Sequence, residues 1–551
     1  MKTVAVVAAA PYDELLSDVG FIGALMGQPQ LPQLLEMQFA FFVQSVDRTK
    51  PWGVIVLTDG AALHPMACLP VTKPDDLLAV APAFGAQIND LGDGMKELLL
   101  PNENSIFVKS QGGWSFIAQS AESLDQVPAD PEAEFAKLTG DYDIAANVEV
   151  QNAPEMYRQL AITAMQSGLQ QGLQQRPDET DEQYQARAEL AQAQMQQIVD
   201  FVNEIETFTL GWRIDAAEQR TYVDFGTYYT PGGKMAEQLA AMEPPQTSFA
   251  GFYQPTAAAT LTTAQKVDMS KVDAEWYKSQ QEQMRQMLKV AREQMLTKLR
   301  EELDISDASV TEAIDSAAGD VFDAFTATIE SGRMDAGAAL DMKPEAVTFV
   351  AGTYVVEPAK IEAALKKLSP VASDLKSISA IEMNTGKHGD VTFHKIVVNV
   401  PEDNEEARNL FGEQLDVAVG IGPEAVYLAF GEGHMEAVGQ AIDASASEPN
   451  KRVPLFELAV SLAPIMESAT AKAEGDQREV AQTIATMLRN EAQGRDHVRI
   501  LGQTVENGQR WRLEAEEGVL RAIGKAAAEQ QRKQMEQMQQ QFQQEQQQQL
   551  Q

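Results

Sequence analysis

The sequence predicts an α+β fold of two related lobes, each of antiparallel strand pairs packed with helices and long helical hairpins. Three observations carry this reading. Short apolar runs such as Gly53-Val54-Ile55-Val56-Leu57 alternate with amphipathic segments far too long to be strands. Turn signals such as Asp59-Gly60 join neighbouring runs, as tight antiparallel hairpins require. The resulting pattern also recurs along the chain, as duplicated architecture would make it do.

Residues 4–10 (Val4-Ala5-Val6-Val7-Ala8-Ala9-Ala10) read as a buried first strand. Behind Lys2 they imitate the charged and apolar parts of a signal peptide, but the run is short, and Pro11-Tyr12-Asp13-Glu14 continues as a helix start. No leader is evident on this reading. A helical region follows from Tyr12 to Val46, interrupted near Gly27, Pro29 and Pro32. Residues 53–57 and 66–71 are strands, and Lys73-Pro74-Asp75-Asp76 opens a helix with proline in its first turn. The same strand, strand, helix unit is expected at residues 378–382 and 392–398, with Gly386 and Gly389 in the turn and Pro401-Glu402-Asp403 starting the helix.

Two long helical segments have regular apolar stripes. Tyr184, Ala188, Ala191, Met195, Ile198, Val202 and Ile205 alternate steps of four and three, and Thr180 and Gln183 have capping-box spacing. With residues 154–174 upstream, the link Gln175-Arg176-Pro177-Asp178-Glu179 predicts a helical hairpin. Residues 271–303 repeat the pattern with Met284, Met287, Leu288, Ala291, Met295, Leu299 and Leu303, a helix of up to ~50 Å.

The internal repeat is expected to match residues 89–124 with 409–443, and 205–242 with 497–528. Pro244-Pro245 marks the boundary, since consecutive prolines do not fit a helix or sheet interior. The first lobe is then 1–243 and the second 246–530. The opening of the second, residues 248–255 with an expected helix over 256–266, resembles the chain's own beginning over 4–25. An extra strand pair and helix near 320–368 (strands 325–329 and 347–356, helix 358–368) would make the second lobe larger. Residues 531–551 form a Gln-rich segment, expected as a frayed helix or a disordered tail.

Composition narrows the function. The chain has 551 residues, 81 acidic against 43 basic, and a formal charge of −38, which repels phosphate backbones and excludes nucleic acid as a general partner. No run approaches the ~20 apolar residues of a transmembrane segment. The one cysteine, Cys68, lies in an apolar run and reads as core, so neither a disulfide nor a cysteine metal site can form within the chain.

No catalytic, cofactor-binding or metal-ligating residues are assigned. His64, His388, His394, His434 and His497 are scattered, and the spacing of His388 and His394 suits neither a helical nor a strand chelate. Glu432 and Glu436 beside His434 read as a solvated loop. Val417-Ala418-Val419-Gly420-Ile421-Gly422-Pro423 lacks the third glycine and lysine of a phosphate loop, and Asp90-Leu91-Gly92-Asp93-Gly94 lacks the closing glutamate of a calcium loop. The pairs Asp141/Asp143 and Asp75/Asp76 are expected by chance in so acidic a chain. Trp114, Phe116, Trp212, Tyr222, Phe225, Tyr228, Tyr229 and Trp511 could line a groove, but are read as core because strands favour aromatics for packing.

The openings Val4-Ala5-Val6-Val7-Ala8-Ala9-Ala10-Pro11-Tyr12-Asp13-Glu14-Leu15 and Ser248-Phe249-Ala250-Gly251-Phe252, with the acidic, Gln-rich composition, resemble the large exported proteins of planctomycete-type bacteria. The resemblance implies export, with a periplasmic or envelope location, and no assigned enzyme activity. The expected function is a non-catalytic scaffold that binds a protein or other macromolecular partner. The alternatives are a carrier of a small molecule or peptide in an inter-lobe cleft and, third, a hydrolase with an unrecognised site.

Overall fold

The computed structural model describes residues 1–79, 81–102, 104–171, 173, 175, 181–302, 307–375 and 377–549. In the first half, β1 (Lys2–Ala9) leads into α1 (Tyr12–Leu25), α2 (Leu31–Gln38) and α3 (Ala40–Val43). The hairpin β2 (Trp52–Thr58) and β3 (Leu63–Pro70) is followed by α4 (Pro74–Leu78). A meander comes next: β4 (Gln87–Gly92), β5 (Met95–Leu99), β6 (Ser105–Gln111) and β7 (Trp114–Ala118). Then come α5 (Pro131–Thr139), β8 (Ile144–Glu149), the helical hairpin α6 (Glu155–Gln171) and α7 (Asp181–Glu204), the hairpin β9 (Ile205–Asp215) and β10 (Arg220–Tyr229), and α8 (Lys234–Ala240).

The second half starts with the short β11 (Gln246–Thr247) and β12 (Ala259–Lys266), then α9 (Ala274–Glu302) and α10 (Ala308–Glu330). It continues through β13 (Arg333–Lys343), β14 (Ala346–Tyr354), α11 (Pro358–Leu368), β15 (Ile378–His388), β16 (Val391–Asn399) and α12 (Glu405–Phe411). Next are β17 (Gln414–Ile421), β18 (Ala425–Gly431), α13 (His434–Ser447), the short β19 (Lys451–Arg452) and β20 (Phe456–Ser461). It ends with α14 (Leu462–Lys472), α15 (Gly475–Met487), β21 (His497–Val505), β22 (Gly508–Glu516) and α16 (Glu517–Gln549).

The fold is α+β; among the described residues twenty strands form one antiparallel sheet, and β11 and β19 pair separately. Outward from the middle on one side the order is β10, β9, β8, β1, β2, β3, β7, β6, β5, β4. On the other side it is β22, β21, β20, β12, β13, β14, β18, β17, β16, β15. The two lists run through their own halves of the chain in the same order. β10 and β22 pair from Arg220↔Glu516 to Tyr228↔Gly508, so the halves meet edge to edge in a single sheet.

This connectivity revises several sequence expectations. The unit at 205–242 and the one at 497–528 do hold matching places, as β9-β10-α8 and β21-β22-α16. The match of 89–124 with 409–443 slips: 106–108, expected to match 426–430 in β18, lies in β6, which holds the place of β17, and residues 409–411, expected to match β4, belong to α12. The helix α12 inserted between β16 and β17, where β5 and β6 have only a short link, causes the slip. Residues 320–368 are no addition either: β13, β14 and α11 stand where β2, β3 and α4 stand. The expected strand at 325–329 is the end of α10, and the expected helix at 256–266 is β12, whose Ala-Thr-Leu-Thr-Thr-Ala alternation with β-branched residues suits a strand.

Local chemistry explains the helices. Pro131 opens α5 after Asp130, whose carboxylate accepts from the Ala133 amide at 3.0 Å. Asp307 caps α10 at Ser309 N (2.7 Å), and Asn404 caps α12 at Ala407 N (3.0 Å). On α7, Ala191 and Val202 are buried and Met195 and Ile198 half-buried, while the cap residue Thr180 and link residues 176–179 lie outside the described residues. Among the described side chains of α9, Leu296 is buried, with Met284 and Leu288 half-buried on its row. Met287 and Met295 of the expected stripe are exposed, and Leu303 is outside the described residues. The Gln-rich segment continues α16 to Gln549.

Each half builds a core on the same face of the sheet. In the first, Phe135 of α5 packs with Ile55, Met66, Cys68 and Phe116. In the second, Phe249, Phe252, Val438 and Ala441 pack with Val350, Phe393, Ala418 and Ala429. Gly211 lets the Tyr142 ring lie directly on β9, where any Cβ would overlap it. Gly211→Val should therefore cost about 1–3 kcal/mol by overpacking, read as a lower urea midpoint with unchanged m-value.

Candidate functional site

The middle of the sheet holds the unusual chemistry, and its two faces differ. On the face that carries the cores, Asp224 of β10 is 1% exposed and lies directly across from Arg512 of β22. Arg512 donates from Nε to Asp224 Oδ1 at 2.7 Å and from Nη2 to Oδ2 at 2.8 Å. The Tyr142 hydroxyl donates to the same carboxylate at 3.0 Å, and the Arg512 guanidinium stacks 3.6 Å from the Tyr222 ring centroid. Burial, then the Asp224 charge, pushes the Tyr142 hydroxyl pKa upward, so it stays a donor.

A second network continues along β21 and β22. Glu514 accepts from Arg220 (2.8 Å) and Arg499 (3.2 Å), and Arg499 also donates to Glu516. Glu516 accepts from the His497 backbone amide at 2.9 Å and from its Nδ1 at 3.0 Å, while Nε2 donates to Pro255 O at 3.2 Å. Both ring nitrogens thus face acceptors, which favours the imidazolium. The Glu516 hydrogen bond is the leading cause that raises the His497 pKa. Burial opposes ionisation of Glu516, yet the His497 and Arg499 hydrogen bonds outweigh it and hold its pKa at about 2.

At the other side of the middle, Glu14, Asp18 and Asp143 bring carboxylate oxygens within 4.8 Å of one another. Asp143 is fully buried, accepts from Ile214 N at 2.6 Å and pairs with Arg213 at 3.0 Å; Arg213 also reaches Glu14 at 3.3 Å. Burial and the Asp143 charge push Asp18 up to about 6. Arg213 supplies the counter-charge that a cation would bring to such a cluster, so the group closes on itself.

A polar cleft of about 590 Å³ crosses the junction of the halves, bordered by Lys137, Asp141, Tyr142, Asn147, Thr209, Tyr228 and Arg510 among others. Asp141 of the Asp141/Asp143 pair faces it, while Asp143 is in the core. Asp75 pairs with Lys96 at 2.8 Å. Glu432 and Glu436 border a smaller cavity of about 280 Å³, from which His434 turns to meet Gly431 O at 2.8 Å. His388 Nε2 lies 2.8 Å from Asp443, and the buried His394 accepts from Asn384 N at 3.0 Å. Burial of His394 lowers its pKa. Cys68 is buried in the first core, its thiol pushed up to about 12 by desolvation.

Among the described residues, the closest approach to a nucleophilic arrangement is Ser123, whose Oγ is 3.4 Å from His64 Nδ1, with Asp59 3.5 Å from His64 Nε2. Both contacts are long, Ser123 is 2% exposed, and neither it nor His64 borders a described cavity. The trio ties the β2–β3 hairpin to residues 121–126.

The opposite face of the same strands is apolar. One row crosses from Val54 through Val7, Ala146, Leu210, Phe225 and Trp511 to Gly502 and Phe456. The next runs from Ala9 through Ile144, Trp212, Val223 and Leu513 to Ile500, Leu458 and Leu261. Neither row contains an acidic or basic residue. Val7, Ile144, Leu210, Phe225, Ile500, Trp511 and Leu513 are each 36–46% exposed. Gly502 lets the Trp511 indole lie across it towards Phe456, the rings 5.7 Å apart. Helix cover on this face comes farther out, where α11 packs Leu365 with Ile381 and Val419.

Of the aromatics read as core, Trp114, Phe116 and Tyr229 are buried, whereas Phe225 and Trp511 are on the open face. Strand alternation identified residues that share a face but did not show which face the helices would cover.

No family model matches the chain, and no curated protein or solved structure matches it. No described helix is long and apolar enough to cross a membrane.

Two outcomes follow from the covered face. Asp224 and Arg512 form a buried pair, so Arg512→Met should cost about 3–5 kcal/mol by leaving the aspartate uncompensated, while Arg512→Met with Asp224→Leu should recover most of it; urea unfolding of the three proteins checks this. The raised His497 pKa stabilises the fold fully below its unfolded value near 6.5 and is lost as pH rises through the folded pKa. The depressed Glu516 pKa stabilises above about 4.5 and is lost as pH falls towards about 2. A urea midpoint measured against pH should decline on both flanks, with the alkaline flank flattened in His497→Phe.

Proposed function

We propose that this protein is a non-catalytic scaffold that holds a macromolecular partner against the uncharged face of its sheet, in the exported or envelope setting that the sequence resemblance implies. The observation that carries this reading is the pair of charge-free rows with large apolar side chains left 36–46% exposed. Monomeric proteins seldom leave contiguous apolar surface beyond about 300–600 Å² without a use for it. The shared strand order makes the halves copies of one ancestral unit in this reading, joined so that their faces run together.

The carrier reading rests on the polar cleft across the junction, since it is the described cavity lined by both halves. It is weaker because the strands join edge to edge there, and the cleft walls are mixed in charge instead of apolar.

A polarity-sensitive dye tests the scaffold reading. At a concentration low enough to leave this face uncovered, the folded protein should enhance the fluorescence of 1-anilinonaphthalene-8-sulfonate, and Phe225→Lys with Leu513→Lys should reduce that signal at least threefold. The substitutions should cost less than about 1 kcal/mol, because both side chains are already half in water. An undiminished signal in the variant would place the dye elsewhere and remove the support for this face.

A further inference from the structure

We infer that the occupant of the open sheet face is a second copy of this chain, the two sheets packed face to face as a sandwich. The inference rests on the binding-face reading above and names its partner. The nine strands from β2 to β12 that carry the charge-free rows become ten with β13, whose Ala338 lies across from Leu261. At about 4.8 Å per strand the face is ~48 Å wide, and two rows with their margins extend ~17 Å along the strands. That is ~800 Å² per copy, or ~1,600 Å² for a facing pair, the size a stable specific interface needs.

Shape and symmetry favour this partner. None of the described cavities is lined by Leu210, Phe225, Trp511 or Leu513, so the face offers a broad surface where a small ligand needs walls. Stepping outward through the paired registers from Asp224↔Arg512, Phe225 takes the place of Leu513, Leu210 of Ile500, Ala146 of Leu458 and Val7 of Leu261. The face therefore reads similarly from either end of its own pseudo-twofold axis. A second copy brings a surface of the same apolar pattern, and aligned sheets pack about 10 Å apart at roughly −30°.

Electrostatics point the same way. At a formal charge of −38, two copies repel over most of their surfaces. The charge-free rows remove that repulsion where the sheets touch, leaving only the longer-range part, which salt screens. Association should therefore strengthen with ionic strength, opposite to a contact made by ion pairs.

The test is light scattering on the size-excluded full chain at 50 µM, in 0.15 M and 1 M NaCl. The expected mass is twice 60.2 kDa, with a dissociation constant at least threefold lower at the higher salt. Phe225→Lys with Leu513→Lys should give 60.2 kDa with unchanged circular dichroism. Met156→Lys, on an exposed site of α6, should remain dimeric. A dimer that persists in the double variant would overturn the inference, since another surface would hold it. A monomeric wild type whose dye signal is lost in that variant would overturn the second-copy inference while sparing the binding face. A monomeric wild type with no dye signal would overturn both.

Discussion

The pairing of β10 with β22 is the constraint on which the rest of this structure depends. It converts two ten-strand arrangements into one sheet and removes two edges that would otherwise present unpaired amides and carbonyls to water. The Asp224–Arg512 pair sits in the middle of this seam. A carboxylate buried in a sheet needs compensation from every neighbour it has, and Arg512 and the Tyr142 hydroxyl provide it from both halves of the chain. Register follows: a one-residue slip would move Arg512 to the opposite face and leave Asp224 without a counter-ion.

That register also sorts the central strands into two chemistries. Arg213, Tyr222, Asp224, Arg499, Arg512 and Glu514 share the face on which the cores are built, and their charges are paired there. The alternate positions are Leu210, Trp212, Phe225, Ile500, Trp511 and Leu513. In most half-covered antiparallel sheets the polar alternate faces water and the apolar one faces helices. Here the arrangement at the centre is reversed. The charged groups lie within the shelter of Tyr142 and the surrounding network, and the apolar ones are left half in solvent. The outer strands do not share this reversal, because α11 covers the apolar face at Ile381 and Val419.

Much of this site was legible as residues but not as a place. The alternation of Phe208, Leu210 and Trp212 with Thr209, Gly211 and Arg213 can be read directly, and so can the aromatic character of β10 and β22. Reading Trp511 and Phe225 as core assumed that an apolar strand face is a covered one, and that depends on where helices pack. The histidines show the same limit. His497 gains its environment from Glu516, on the paired strand, and from Pro255, far away along the chain. His64 meets Ser123 only because residues 121–126 fold back beside the β2–β3 hairpin.

The sequence alone determined the elements whose causes are local. The helical hairpin of α6 and α7 follows from apolar spacing, the β2–β3 turn from Asp59-Gly60, and α4 from Pro74 in its first turn. The α+β class follows from their sum. Only the tertiary structure decided which strands are neighbours, since strands of like alternation are interchangeable until their hydrogen bonds are made. That is why the repeat could be seen near β9 and β21 yet slipped by a strand around β6. It also decided that the halves share one sheet, and that the uncharged face of its middle remains open. Both depend on long-range pairing and helix placement, which no local pattern encodes.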